Sequence, residues 1–94
     1  MVVVIRLRPG PQRADLMREE AERVLDLWSQ RPGFRSGQLG RALDDPGQWA
    51  LVTEWESVGA YRRALSGWEM KAVLGTLQAD MVTEPSAYEV VSRR

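Results

Sequence analysis

The chain opens on a β-branched run, Val2-Val3-Val4-Ile5, and then alternates through Arg6-Leu7-Arg8. Such a run predicts a strand covered on both faces at its start and polar on one face later. Pro9-Gly10-Pro11 stops it. From Gln12 to Arg31 the period becomes helical: Ala14, Met17, Ala21, Val24, Leu25 and Trp28 form one stripe, flanked by Leu16 and Leu27. Asp15, Glu19, Glu22, Arg23 and Asp26 take the opposite face. Acidic residues in the early turns suit the helix dipole, and Glu19 stands four before Arg23. Pro32-Gly33 ends the helix.

Phe34 to Leu43 reads as a strand whose glycines, Gly37 and Gly40, signal a bulge or a close backbone approach. Asp44-Asp45-Pro46-Gly47 is a turn, and Gln48 to Glu56 returns as the second arm of a hairpin. Trp49, Leu51, Thr53 and Trp55 share one face of that arm; Ala50, Val52, Glu54 and Glu56 share the other. Ser57 suits the N-cap of a helix with apolar positions Ala60, Tyr61, Ala64, Leu65 and Trp68. Ser66-Gly67 breaks or kinks it, and a second helical piece carries Met70, Val73, Leu74 and Leu77. Glu84-Pro85-Ser86 leads into a last strand over Ala87 to Val91, and Ser92-Arg93-Arg94 is a frayed tail.

The order is β-α-β-β-α-β. With right-handed crossovers it predicts a single α+β domain over residues 1–94, a ferredoxin-like sandwich with a four-stranded antiparallel sheet and its helices on one face. Val2, Val3, Val4, Ile5, Ala50, Val52, Val90 and Val91 supply more apolar strand positions than one face hides. A homodimer formed through the open sheet face is the simplest way to cover the rest.

Composition narrows the chemistry. The 94 residues carry 13 basic and 13 acidic side chains, so no electrostatic footprint for nucleic acid is visible. No apolar stretch approaches the roughly 18 residues of a membrane span, and Met1 to Leu7 is too short for a secretory apolar core. Cysteine is absent, which removes disulfides and thiolates and agrees with a cytoplasmic setting. Histidine and asparagine are absent too. No His-ligated metal or haem and no Ser-His pair is available, and no cofactor or metal site is expected.

The side chains left for chemistry form three groups. Trp49, Trp55, Tyr61 and Trp68 offer rings for a flat pocket between sheet and helix, although aromatic core packing accounts for each singly. Arg6, Arg8, Arg35 and Arg41 lie on strands, where one at a pocket mouth would hold a carboxylate or phenolate, although cross-strand pairing with Glu54, Glu56 or Glu89 accounts for them equally simply. Glu54 is the acid expected nearest the interior, as a base if desolvated or as an arginine's partner.

Arg31-Pro32-Gly33-Phe34, Asp45-Pro46-Gly47, and Thr53-Glu54-Trp55-Glu56-Ser57 followed by Ala60-Tyr61 together resemble the antibiotic-biosynthesis-monooxygenase-like family of small dimeric α+β barrels. The resemblance implies a barrel closed across a dimer. It also implies cofactor-independent oxygenation of a small aromatic, polyketide-like compound. On that carry-over Trp55, Tyr61 and Arg6 are the catalytic candidates, with Trp49, Trp68 and Leu74 lining the substrate. The family's haem degraders use an Asn, a Trp and a His; Trp55 matches the Trp, no Asn exists, and Leu74 stands where the His is expected. Haem degradation by that route is therefore not expected. The alternative is a non-catalytic small-molecule-binding or accessory dimer of the same fold.

Overall fold

A computed structural model describes residues 1–94. Its elements are β1 (Val2–Leu7), α1 (Ala14–Ser29), β2 (Phe34–Arg41), β3 (Trp49–Trp55), α2 (Val58–Ala64), α3 (Trp68–Leu77), a 3-10 turn (Gln78–Asp80) and β4 (Ala87–Tyr88). The strands form one antiparallel sheet in the order β2-β3-β1-β4, the ferredoxin-like order inferred from the sequence. No helix is long and apolar enough to cross a membrane.

The alternation in the strands decides what the sheet buries. Val3, Ile5 and Leu7 of β1 and Leu51, Thr53 and Trp55 of β3 point to the helices and are buried. Met17, Ala21, Val24 and Trp28 form the buried stripe of α1, and Met70, Val73 and Leu77 that of α3. The exposed side of α1 pairs differently from expectation: Arg18 takes Glu22, while Arg23 reaches over to Glu69 on α3.

Two glycines set the joints. Gly33 follows α1 at φ 88°, and a Cβ there would stand 2.4 Å from the Ala60 Cβ, so only glycine lets β2 start this close to α2. Gly67 at φ 99° separates α2 from α3 and realises the break read at Ser66-Gly67. Ser57 caps α2 through its hydroxyl, which accepts from the Ala60 N–H at 3.1 Å.

The last strand is shorter than expected. Tyr88 already pairs with Val2, the first residue of β1, so the residues beyond it run past the end of their partner. Val90 and Val91 consequently lie outside the sheet, with Val91 87% exposed, and add nothing to its open face. The tail is tied back instead, by Arg93 donating to the Glu54 carboxylate. Before β4 the chain follows β1 through Asp80 (accepting from the Arg8 N–H, 2.7 Å), Val82 (donating to the Arg6 C=O, 2.9 Å) and Ser86 (accepting from the Val4 N–H, 2.7 Å). Thr83-Glu84-Pro85 arches away between these contacts.

Candidate active site

The aromatic residues gather at one end of the sheet. Trp55, at the end of β3, is fully buried, and its indole N–H donates to the Thr53 hydroxyl at 2.9 Å. Around it stand Phe34 at 5.3 Å, Trp28 at 5.7 Å and Tyr61 at 5.7 Å between ring centroids, the first two edge to face. The Trp28 indole donates to the Ala64 C=O at 3.2 Å and so ties α1 to α2. Both indoles of this nest are fully buried. Trp28 belongs to it fully, yet its place on the α1 stripe marked it only as core.

Tyr61 is the outermost ring, and beyond it the protein opens. A half-open cavity of about 360 Å³ lies between β1, α3 and the arch before β4. Ile5, Tyr61, Leu65, Leu74 and Met81 make its apolar wall, and Arg6, Lys71, Gln78 and Glu84 its polar one. That volume falls within the roughly 300–1,000 Å³ usual for small-ligand sites.

The Tyr61 hydroxyl is not sealed in without a partner. Burial pushes its pKa above the ordinary value, because the phenolate loses solvation there. Tyr61 is therefore a neutral hydrogen-bond donor at pH 7, not a base. Arg6 stands beside the Tyr88 hydroxyl and Glu84, which keep it firmly cationic; its Nε lies 3.4 Å from the Glu84 carboxylate. Arg6 and Glu84 thus bridge from β1 to the arch at the cavity rim.

The residues singled out by sequence divide accordingly. Arg6, Tyr61 and Leu74 line the cavity together. Trp55 stands one ring behind Tyr61 and supports it rather than facing the space. Trp49 is at the far end of β3, about 20 Å along the strand from Trp55, where the Arg41 guanidinium covers its ring at 5.2 Å. Trp68 is 81% exposed. The break at Gly67 makes it the first residue of α3, and its ring lies in a shallow hollow with Glu20, Arg23 and Glu69 on the outer surface.

Glu54 faces the open side of the sheet, and the Arg93 guanidinium holds its carboxyl below the usual range. The acid nearest the interior is instead Asp80, buried and gripped by Arg13 through Nε and Nη2 at 2.8 to 3.1 Å. Lys71, Gln78, Met81 and Glu84 also line the cavity without having been singled out. The helical spacing of Lys71 and Gln78 beside Leu74 was the available signal.

The family model for antibiotic biosynthesis monooxygenases matches residues 1–76. The chain belongs to this family. The match takes in Arg6, Trp55, Tyr61 and Leu74 and ends before the arch that forms the cavity's outer rim. Two curated Streptomyces proteins match at the sequence level. One is the 42.8 kDa protein in the whiE locus of Streptomyces coelicolor, 34% identical over 61 residues, or 65% of this chain and 15% of that protein. The other is protein SchA of Streptomyces halstedii, 37% identical over 57 residues, or 61% of this chain and 14% of that protein. The chain thus spans only about a seventh of the length of these relatives.

Solved structures share the whole fold. An asparagine-to-alanine variant of SnoaB, a cofactor-independent oxygenase from Streptomyces nogalater, superposes with a TM-score of 0.85 at 21% identity, covering 98% of this chain and 93% of that one. A Deinococcus radiodurans protein, named as a candidate antibiotic biosynthesis monooxygenase, gives a TM-score of 0.83 at 18% identity, covering 100% and 96%. The chain thus shares the ferredoxin-like fold of these structures over nearly its whole length.

Proposed function

We propose that this family member binds a small aromatic phenol in the cavity beside Tyr61 and oxygenates it without a cofactor. The observation that carries the reading is a partly buried phenol on Tyr61, held neutral, in a cavity whose lining also includes Arg6, with an apolar floor between α3 and β1. A phenol bound there ionises more readily near Arg6. Its delocalised anion passes an electron to O2, the two radicals combine at ring carbon, and the peroxide takes up a proton in place of the one that the phenol released to solvent. Loss of water from the resulting hydroperoxide leaves a quinone: one oxygen atom stays on carbon, the other departs in water. Tyr61 donates a hydrogen bond to the oxyanion, and Trp55 fixes the Tyr61 ring from behind. The apolar wall keeps solvent protons from quenching the carbanion.

The barrel that completes such a site is a dimer formed through the open face. Val2, Val4, Ala50 and Val52 lie half-buried on that face, with Val4 directly opposite Val52 across β1 and β3. Sedimentation at micromolar concentration is expected to give a dimer, and a clean monomer would reject that part.

One observation favours a second reading, a binding or accessory protein without turnover: the chain contains no histidine to serve as a base and no asparagine. Oxygen uptake with a panel of naphthols and hydroxyanthraquinones separates the two. Uptake lost in Tyr61→Phe supports the oxygenase; tight binding with no uptake supports the accessory protein; neither binding nor uptake contradicts both.

A further inference from the structure

The face that α3 turns to the cavity is built from Lys71, Leu74 and Gly75 and continued by its C-cap Gln78, spaced i, i+3, i+4 and i+7, beside the stripe that it buries in the core. Gly75 is anomalous in this setting. It lies inside a helix, it does not have a positive φ, and a Cβ there would meet no protein atom within 4 Å. Neither backbone conformation nor packing requires glycine, and glycine weakens a helix relative to alanine. What a side chain at this position would occupy is the open space of the cavity.

Lys71, one turn earlier, is the chain's sole lysine. The other charges on the cavity wall, Arg6 and Glu84, pair with each other. Lys71 takes part in none of the seven ion pairs from Arg6–Glu84 to Arg93–Glu54. Two cations against one carboxylate leave the cavity one positive charge in excess, carried on a flexible stem at its edge.

We infer that this face of α3 selects a flat aromatic ligand bearing a carboxylate: the ring lies against the bare backbone at Gly75, and the Lys71 ammonium takes the acid. The inference rests on the reading that the cavity binds aromatic phenols, and adds which ones. Calorimetric titration with 6-hydroxy-2-naphthoic acid and its carboxamide tests it, because the two share ring and phenol and differ in charge. The acid should bind about five- to tenfold more tightly at low salt, with the gap narrowing as salt rises. Lys71→Gln should bring the ratio close to one. Gly75→Ala should raise the melting temperature by about 2 to 6 °C while weakening both ligands severalfold. That opposition of signs is not expected of a merely structural glycine.

Equal binding of acid and amide, both weakened by the cavity-filling Leu74→Trp, would overturn the inference and leave the cavity reading standing. So would a preference that survives Lys71→Gln, or unchanged affinity in Gly75→Ala. Binding of neither compound, or binding indifferent to Leu74→Trp, would overturn both.

Discussion

The two ends of the space between sheet and helices are built to opposite specifications, and Tyr61 is where they meet. On one side Trp28 and Phe34 meet Trp55 edge to face, with both indole N–H groups satisfied and both indoles fully buried. On the other, α3 and β1 stand apart around a cavity whose rim is a half-exposed ion pair and an arch of chain. Aromatic side chains alone do not mark a site in such a fold. The rings that fill the nest are structural, and the useful one is the ring at its boundary, dry on one side and open on the other.

The sharpest way to break this contrast is to empty the nest. Trp55→Ala should cost about 3–5 kcal/mol of folding stability, read by urea denaturation, because a fully buried indole leaves a void among rings that cannot all collapse into it. Ligand binding should fall with it, since Tyr61 loses its backing. A loss below about 1 kcal/mol would mean that the nest is less tightly packed than described.

At the boundary, Tyr61→Phe keeps the ring and removes the hydroxyl. Stability near neutral pH should change little, whereas turnover or binding of a phenol should drop by about tenfold, the size of one charge-assisted hydrogen bond. The same variant has a pH signature. The folded protein holds the Tyr61 phenol above its ordinary pKa, so this contribution is fully present below the unfolded value near 10 and is lost as pH rises through the raised folded value. Tyr61→Phe should therefore flatten part of the alkaline loss of stability, followed by thermal melts from pH 8 to 11.

The acid limb belongs to the other face of the sheet. Glu54 is held below its ordinary value near 4.5 by Arg93, so its contribution is present above that pH and fades as pH falls through the depressed folded value. Glu54→Gln should reduce the acid sensitivity of the melting temperature slightly, and raised salt should mimic it. Smallest of all, Trp68→Ser should leave stability within about 0.5 kcal/mol of the parent and ligand affinity unchanged, because the ring is solvated and does not line the cavity. A marked loss of binding would restore Trp68 to the site.

The fold was legible where local and long-range preferences agree. Asp45-Pro46-Gly47 closes the hairpin, with the Gln48 N–H on the Asp45 C=O at 2.9 Å, and the alternation of Trp49 to Trp55 sets its buried face. Of the two glycines of β2, Gly37 realises the close approach, to Leu25 and Phe34, whereas a Cβ at Gly40 would meet nothing within 4 Å and the register shift falls earlier, between Phe34 and Ser36. What sequence could not resolve were questions of register and direction. The length of β4 depends on where β1 begins, not on the valines at 90 and 91. Trp68 looked like a fourth wall because it continues the apolar spacing of α2, but the break at Gly67 starts a new helix and turns it outward. The cavity rim was hidden for a related reason: Glu84 and Met81 acquire meaning only once the arch is laid beside β1.

The claim that the ligand space lies beyond Tyr61, under α3, is tested most directly by amide chemical-shift mapping with 6-hydroxy-2-naphthoic acid. The account predicts the largest perturbations at Ile5, Tyr61, Leu74, Gly75 and Met81. Perturbations confined to Val2, Ala50 and Val52 on the open sheet, or to the Arg41–Trp49 end of the hairpin, would contradict it.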